Sequence, residues 1–262
     1  MSHPGAAEKI AVFDVVESTN DTAKRMAASG TEHGRVVIAD AQTAGRGKHG
    51  RPFFSVAGGG LYMSFVLHPE KLRFKTPALI TVLAAVLVCE AIEAVCGRAP
   101  GIKWVNDIVL DGKKICGILA EAGTDGNKRW MVVGIGVNCS IPTAAFPECL
   151  RQTAGSIFPE GGQSIARNHL AAAIINRMAQ SGRYATKEIL SRYEGRLTML
   201  RKRVRVSAGR VSYEAEALGI DDAGGLIVQR DDGQILSLVA GEISATGPAE
   251  DRAEGEGLRQ LR

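Results

Sequence analysis

Between Gln42 and Arg51 the chain reads Gln-Thr-Ala-Gly-Arg-Gly-Lys-His-Gly-Arg. Glycine leaves backbone N–H groups unhindered, and Arg46, Lys48 and Arg51 set cations among the glycines. Such a segment can surround an anion, above all phosphate oxygens, with backbone donors and charged side chains together. Gly45, Gly47 and Gly50 also match the spacing of a dinucleotide-binding turn, but that turn needs a helix directly behind it. Here Arg51-Pro52-Phe53-Phe54 follows, then a glycine run and a strand, so the dinucleotide reading fails. A Walker loop would end in Gly-Lys-Ser/Thr, and this one does not. Taken alone, the segment suits a basic surface loop as well as a ligand clamp. Without ligand it should be loose, since its glycines offer no packing and its cations repel one another.

A second cluster places charges among strand residues: Lys103-Trp104-Val105-Asn106-Asp107, then Lys113-Lys114-Ile115-Cys116-Gly117-Ile118-Leu119. Lys103 and Asp107 are four apart, which puts both on one face of a regular strand. An exposed ion pair would contribute little. Charges beside Ile102, Trp104 and Ile108 need partners, because ions seldom lie near a core alone. Asp107 is a candidate oxygen ligand for Mg²⁺ held jointly with substrate phosphates. Lys114 could equally be a turn lysine beside Asp111. No Gly-x-Ser-x-Gly elbow and no cysteine with an evident histidine partner supplies a nucleophile. The chemistry these residues suit is positioning and charge neutralisation.

The elements that must carry these groups follow from pattern. Strands are expected at Ile10 to Val15, Val36 to Asp40 and Leu61 to Leu67, with a short helix from Asp21 to Ala28 behind the capping side chains of Ser18-Thr19-Asn20. Pro77 opens a long helix that stops near Gly97. Gly101 to Trp104 and Ile108 to Leu110 read as strands, Asp111-Gly112 as a hairpin turn, and Lys114 to Glu121 and Trp130 to Asn138 as further strands. Helices follow at Ile165 to Gln180 and Lys187 to Tyr193. From Arg203 to Ser244 short strands with Gly and Asp turns predict a small all-β barrel. The charged stretch from Pro248 to Arg262 lacks large apolar residues and is expected to be disordered.

Composition sets the outer limits. The 262 residues are 45% hydrophobic and 23% charged, enough for a sizeable core, and the net charge of +4 is too mild to imply nucleic acid. Five scattered cysteines without CxxC spacing argue against a disulfide framework or a structural zinc and suit a reducing cytoplasm. Met1 to Lys9 holds no apolar signal core. The apolar run from Ala78 to Cys89 is ended by Glu90 and Glu93, short of the ~18 residues of a membrane span, and is expected to be a buried helix.

Five segments in order and spacing resemble the biotin–protein ligases: Glu17 to Asn20, Gln42 to Arg51, Lys103 to Asp107, Lys114 to Glu121 and Gly134 to Asn138. Gly241 to Ser244 is similar to the family's C-terminal motif. The resemblance spans about Val12 to Ser244. It implies an α+β fold: a class II synthetase-like catalytic domain over 1–198, with a mixed and largely antiparallel sheet and packed helices, then an SH3-like β-barrel over 199–247. It implies that biotin and ATP, with Mg²⁺, give biotinyl-5′-AMP, and that the acyl group passes to a lysine of a biotin carboxyl carrier protein.

Carried over by motif, Ser18, Thr19, Asn20, Gln42, Arg46, Gly47, Lys48 and Lys114 would bind biotin or its acyl phosphate. Lys114, Arg46 and Lys103 would be catalytic. Gly45, Arg51, Phe53, Asn106 and Asn138 would face the nucleotide, and Asp107 the metal. Val105 stands where the family usually has Pro, Phe53 where Trp is common, and Thr246 where some members carry Arg. With about ten residues before the first strand there is no room for a helix-turn-helix, so no DNA binding is expected, nor a membrane. A homodimer is compatible with the resemblance. Rival readings are a lipoate or octanoyl ligase of the same fold, a non-catalytic biotin or nucleotide sensor, and a nucleic-acid-binding protein.

Overall fold

The computed structural model describes residues 9–126, 128–159, 164–208, 211–239 and 241–245. The tail over 248–262, Thr246 and most of the first nine residues lie outside these.

Strand β1 (Ile10–Val16) leads through helix α1 (Thr19–Ala28) to β2 (Arg35–Gln42), which runs parallel to it. The Ser18 hydroxyl accepts the Asp21 N–H and so caps α1. All other pairings are antiparallel. Strands β3 (Gly60–Leu67), β4 (Gly101–Lys103), β5 (Asp107–Leu110), β6 (Lys113–Asp125) and β7 (Lys128–Asn138) complete a seven-stranded mixed sheet in the order β1-β2-β3-β7-β6-β5-β4.

Alternation assigns the two faces of this sheet to two tasks. On one face Leu61, Met63 and Phe65 of β3, Met131, Val133, Ile135 and Val137 of β7 and Cys116 and Ile118 of β6 join the main core beneath helix α2 (Pro77–Cys96). On the other, Ser64 pairs in register with Gly134 and Gly134 with Leu119, while Tyr62 pairs with Gly136 and Gly136 with Gly117. Helix α1 covers the outer part of this second face through a small cluster of Ala23, Ala27, Val37, Val66 and Val132. The rest of that face, floored by glycine, carries the cavity.

Helix α2 begins at Pro77 behind a Thr76 cap and ends at Gly97 in the left-handed region, as the sequence predicts. It does not end at Glu90. It runs for 20 residues and is long and apolar enough to cross a membrane, but 67% of its most apolar window is buried inside the protein. Glu90 and Glu93 continue it on a polar side, where they pair with Arg192 and Arg196. Helices α3 (Ser164–Ala179) and α4 (Thr186–Glu194) pack against α2.

Strands β4 and β5 are separate, as the sequence predicts, so Lys103 and Asp107 do not lie along one regular strand. The chain reverses at Trp104-Val105-Asn106, through a cis Trp104–Val105 peptide, and Lys103 stands opposite Asp107 across a hairpin. The next turn is as expected, with Asp111 and Gly112 both at positive φ.

Strands β8 (Arg203–Ala208), β9 (Val211–Ile220), β10 (Leu226–Arg230), β11 (Ile235–Leu238) and β12 (Glu242–Ala245) form a separate antiparallel sheet in the order β11-β10-β9-β8-β12. Val204, Val206, Ala217, Leu226 and Ile243 belong to the same contiguous core as α2. The Trp104 indole N–H donates to Gly224 O at 3.0 Å, which ties the β4–β5 turn to this second sheet.

Candidate functional site

A cavity of about 580 Å³ opens above the glycine floor. Its lining includes Ser18, Thr19, Asn20, Gln42, Arg46, Gly47, Lys48, Arg51, Phe53, Lys103, Asn106, Asp107, Lys114 and Asn138. Every expected site residue except Gly45 therefore meets in one place.

One end is neutral and hydrogen-bonded. Gln42 Oε1 accepts from the Thr19 N–H at 2.8 Å and the Thr19 hydroxyl at 3.1 Å, and Gln42 Nε2 donates to Ser55 Oγ at 2.8 Å. Ser64 Oγ, fully buried on β3, lies 2.8 Å from Thr19 Oγ1 and 2.7 Å from Asn20 Oδ1, and its single proton serves one of them at a time. Asn20 Nδ2 donates to Glu121 Oε2 at 2.8 Å and to Leu119 O at 3.3 Å. The amide of Asn20 is thus held in one orientation, with its oxygen on Gly134. A Cβ at Gly134 would overlap that oxygen, so β7 requires glycine there.

The other end is charged. Lys114 Nζ and Asp107 Oδ1 pair at 2.7 Å. Asp111, offered as the alternative partner of Lys114, instead pairs with Arg98. Burial pulls the Lys48 ammonium below the usual lysine range; Asp107 opposes this and Lys114 adds to it. Lys48, Lys114 and Asp107 are therefore close enough to act on one another. Lys103 makes no ion pair among the described residues.

Phe53 lies over the floor between these ends. A Cβ at Gly136 would come within 2.6 Å of its ring, and one at Gly117 within 3.1 Å. Its ring also meets Tyr62 edge-on and lies 6.0 Å from Lys114 Nζ.

The loop from Gly45 to Phe53 closes on itself through backbone hydrogen bonds. Gly47 N donates to Arg51 O, Phe53 N to Gly45 O and Arg51 N to Lys48 O, at 2.7, 2.8 and 3.2 Å. Gly45 is a packing glycine rather than a lining residue: a Cβ there would strike Phe53 O and Ser55 Oγ. Nor do the loop cations simply repel one another, since Arg46 Nη1 pairs with Asp21 Oδ1 at 2.9 Å.

Two further expected residues hold backbone. Asn106 Nδ2 donates to Ile118 O at 2.9 Å, and Asn138 Nδ2 to Gly155 O at 2.9 Å. Asn138 Oδ1 is buried without a hydrogen-bond partner. Among the described residues no three His, Cys, Asp or Glu side chains gather to hold a metal. Asp107 thus offers one oxygen, which suits a Mg²⁺ held chiefly by phosphates and not a protein cage.

Sequence reasoning missed Ser64, Ser55 and Glu121, and the contribution of Ser207 and Ser244 from the second sheet to the lining. Glu121 closed a recognised motif without a role. Ser64 carried one available signal, a hydroxyl on the side of β3 opposite its apolar series.

The chain matches the biotin/lipoate A/B protein ligase family over residues 12–138 and the biotin protein ligase C terminal domain over residues 202–245. It is 35% identical over 225 residues to the bifunctional ligase/repressor BirA of Bacillus spizizenii, covering 84% of this chain and 69% of that protein. It is 31% identical over 221 residues to the biotin–[acetyl-CoA-carboxylase] ligase of Paracoccus denitrificans, covering 81% and 91%. The fold is similar to a biotin protein ligase from Aquifex aeolicus in complex with biotin and ATP, with TM-score 0.75, 25% identity and coverage of 90% and 97%. With both modules in sequence order on one continuous core, the chain belongs to the biotin protein ligase family.

Proposed function

We propose that the protein is an ATP-dependent ligase that activates biotin as biotinyl-5′-AMP and passes the acyl group to a lysine of a biotin carboxyl carrier protein. The observation that carries this is one cavity joining a neutral, hydrogen-bonded end at Ser18, Thr19, Asn20 and Gln42 to a charged end at Lys48, Lys114 and Asp107. A ureido ring has both donors and an acceptor and suits the first. A carboxylate and a triphosphate suit the second.

In the first half-reaction a carboxylate oxygen of biotin bonds to the α-phosphorus and pyrophosphate leaves. The two anions repel: one unit-charge pair at ~4 Å is worth about 4 kcal/mol at an effective dielectric of 20. Lys114, Arg46 and Lys103, the proposed catalytic residues, offset this together with Lys48, and Gly47 lines the cavity beside them. When bound, Mg²⁺ would neutralise phosphate charge with Asp107 as its protein oxygen. Asn138, Asn106, Arg51 and Phe53 make up the nucleotide side. Gly45 serves that side indirectly, by letting Phe53 return close to Gln42. In the second half-reaction the carrier's lysine amine attacks the acyl carbon, AMP leaves and the amine proton passes to water.

The same proposal divides the chain into a catalytic domain over 1–198 and a C-terminal domain over 199–247, works in the cytoplasm as a homodimer, and includes no nucleic-acid partner. Pyrophosphate release tests the substrate. It should require ATP and biotin, and release with lipoate but not biotin would overturn the assignment in favour of the lipoate reading.

A further inference from the structure

Arg46 is held from outside the cavity it lines. Its Nη1 pairs with Asp21 Oδ1 at 2.9 Å, and its Nη2 lies 3.8 Å from Glu121 Oε1. Lys24 Nζ bridges the same two carboxylates at 2.7 and 3.0 Å. Four charges summing to zero thus join three elements: Asp21 and Lys24 from α1, Glu121 from β6 and Arg46 from the loop. Burial pushes the Asp21 carboxyl up, but Lys24 and Arg46 together hold it below its ordinary value. The other oxygen of Glu121 accepts from Asn20.

The place of this cluster gives it a task. Behind the loop lies a second cavity of about 290 Å³, bordered by Arg46, Lys48, Leu119, Glu121 and Gly241. Arg46 and Lys48 border both cavities, as do Leu119 and Gly241, so the loop forms part of the boundary the two share. A loop swung away from α1 and β6 would open a route for water or stray amines to the reactive anhydride.

We propose that Glu121 is a positioning residue that, with Asp21, clasps the Arg46 loop shut over the activated acyl group. This rests on the ligase reading above. Exposed ion pairs are individually weak, but a four-charge network across three elements resists opening of the loop more than one pair does. Asp21, Lys24 and Glu121 act on retention of the intermediate by holding Arg46, and do not themselves line the main cavity. It also makes retention depend on ionic strength, because partly exposed charges are screened.

The test uses full-length wild type, Glu121→Gln and Asp21→Asn with biotin and Mg-ATP, and hydroxylamine in place of the carrier. Hydroxylamine nitrogen attacks the acyl carbon, the N–C bond forms, the C–O bond to phosphate breaks, AMP leaves with the electron pair, and the nitrogen proton passes to water. Hydroxamate formed per pyrophosphate released should rise about fivefold in each variant. The KM for biotin of Glu121→Gln should stay within about twofold, because an amide oxygen there still accepts from Asn20. In wild type the leak should grow as ionic strength rises from about 0.01 to about 1 M, while in a variant carrying both Glu121→Gln and Asp21→Asn it should not. An unchanged leak in both variants, or a raised KM with unchanged leak, would overturn the clasp and leave Glu121 as an anchor of Asn20 alone. No biotin-dependent pyrophosphate release from wild type would instead remove the ligase reading beneath it. Asp21→Asn keeps the test decisive if circular dichroism shows the Glu121 variant unfolded.

Discussion

Lys114 and Gly134 mark the two ends of the site and can be tested separately. Lys114, paired with Asp107, is the proposed partner of the developing acyl phosphate. Lys114→Ala should lower the rate of adenylate formation by about 10²–10³-fold, the usual cost of removing one preorganised electrostatic group. Unchanged pyrophosphate release would remove it from that role. Gly134→Ala presses on Asn20 instead. Overpacking of this kind costs about 1–3 kcal/mol, and it should appear as a raised KM for biotin with the KM for ATP retained. Lys48 gives a third prediction. Burial holds its folded-state pKa below the ordinary 10.5. Between the lowered value and 10.5 the native protein binds fewer protons than the unfolded chain, so this group adds stability as pH rises through that window. A phosphate beside Lys48 would draw its pKa back up, so binding of an adenylate analogue there should take up protons. Calorimetry in two buffers of different ionisation enthalpy reads this, and no proton uptake would place the phosphate elsewhere.

At the scale of elements, local pattern carried furthest where one rule dominated. Pro77 and Gly97 bounded α2, Asp111-Gly112 made its hairpin, and Gly134-Ile135-Gly136-Val137 alternated between cavity floor and core. Pattern failed where a contact distant in sequence decided the outcome. The two strands either side of Trp104-Val105-Asn106 were legible, but the anchoring of the Trp104 indole on Gly224, 120 residues later, was not. The Asp21 partner of Arg46 and the packing of Gly45 against Ser55 come from outside the glycine-basic loop and were not legible in its composition. Ser64 and Glu121 went unassigned for the same reason, since their meaning lies in what the sheet and α1 bring to them. Trp104→Phe should remove the indole bond to Gly224, at about 1 kcal/mol. Amide exchange in β8 to β10 should then speed up ahead of that in β2 and β3, and equal change in both sheets would argue against a local tie.

For the whole molecule, the order of motifs mattered more than any single one. The loop alone was ambiguous, but five spaced segments converge on one cavity whose lining draws on both sheets. Ser207, Gly241 and Ser244 bring the second sheet to the same lining, so the C-terminal module belongs to the working site and is not an appendage. Transfer of biotin to a carrier lysine can be read by intact-mass spectrometry of a biotin carboxyl carrier domain incubated with this protein, biotin and Mg-ATP. The carrier should gain one biotinyl group on one lysine, dependent on ATP and lost when the carrier's acceptor lysine is replaced. An unmodified carrier, or one acylated only when lipoate is supplied, would contradict it.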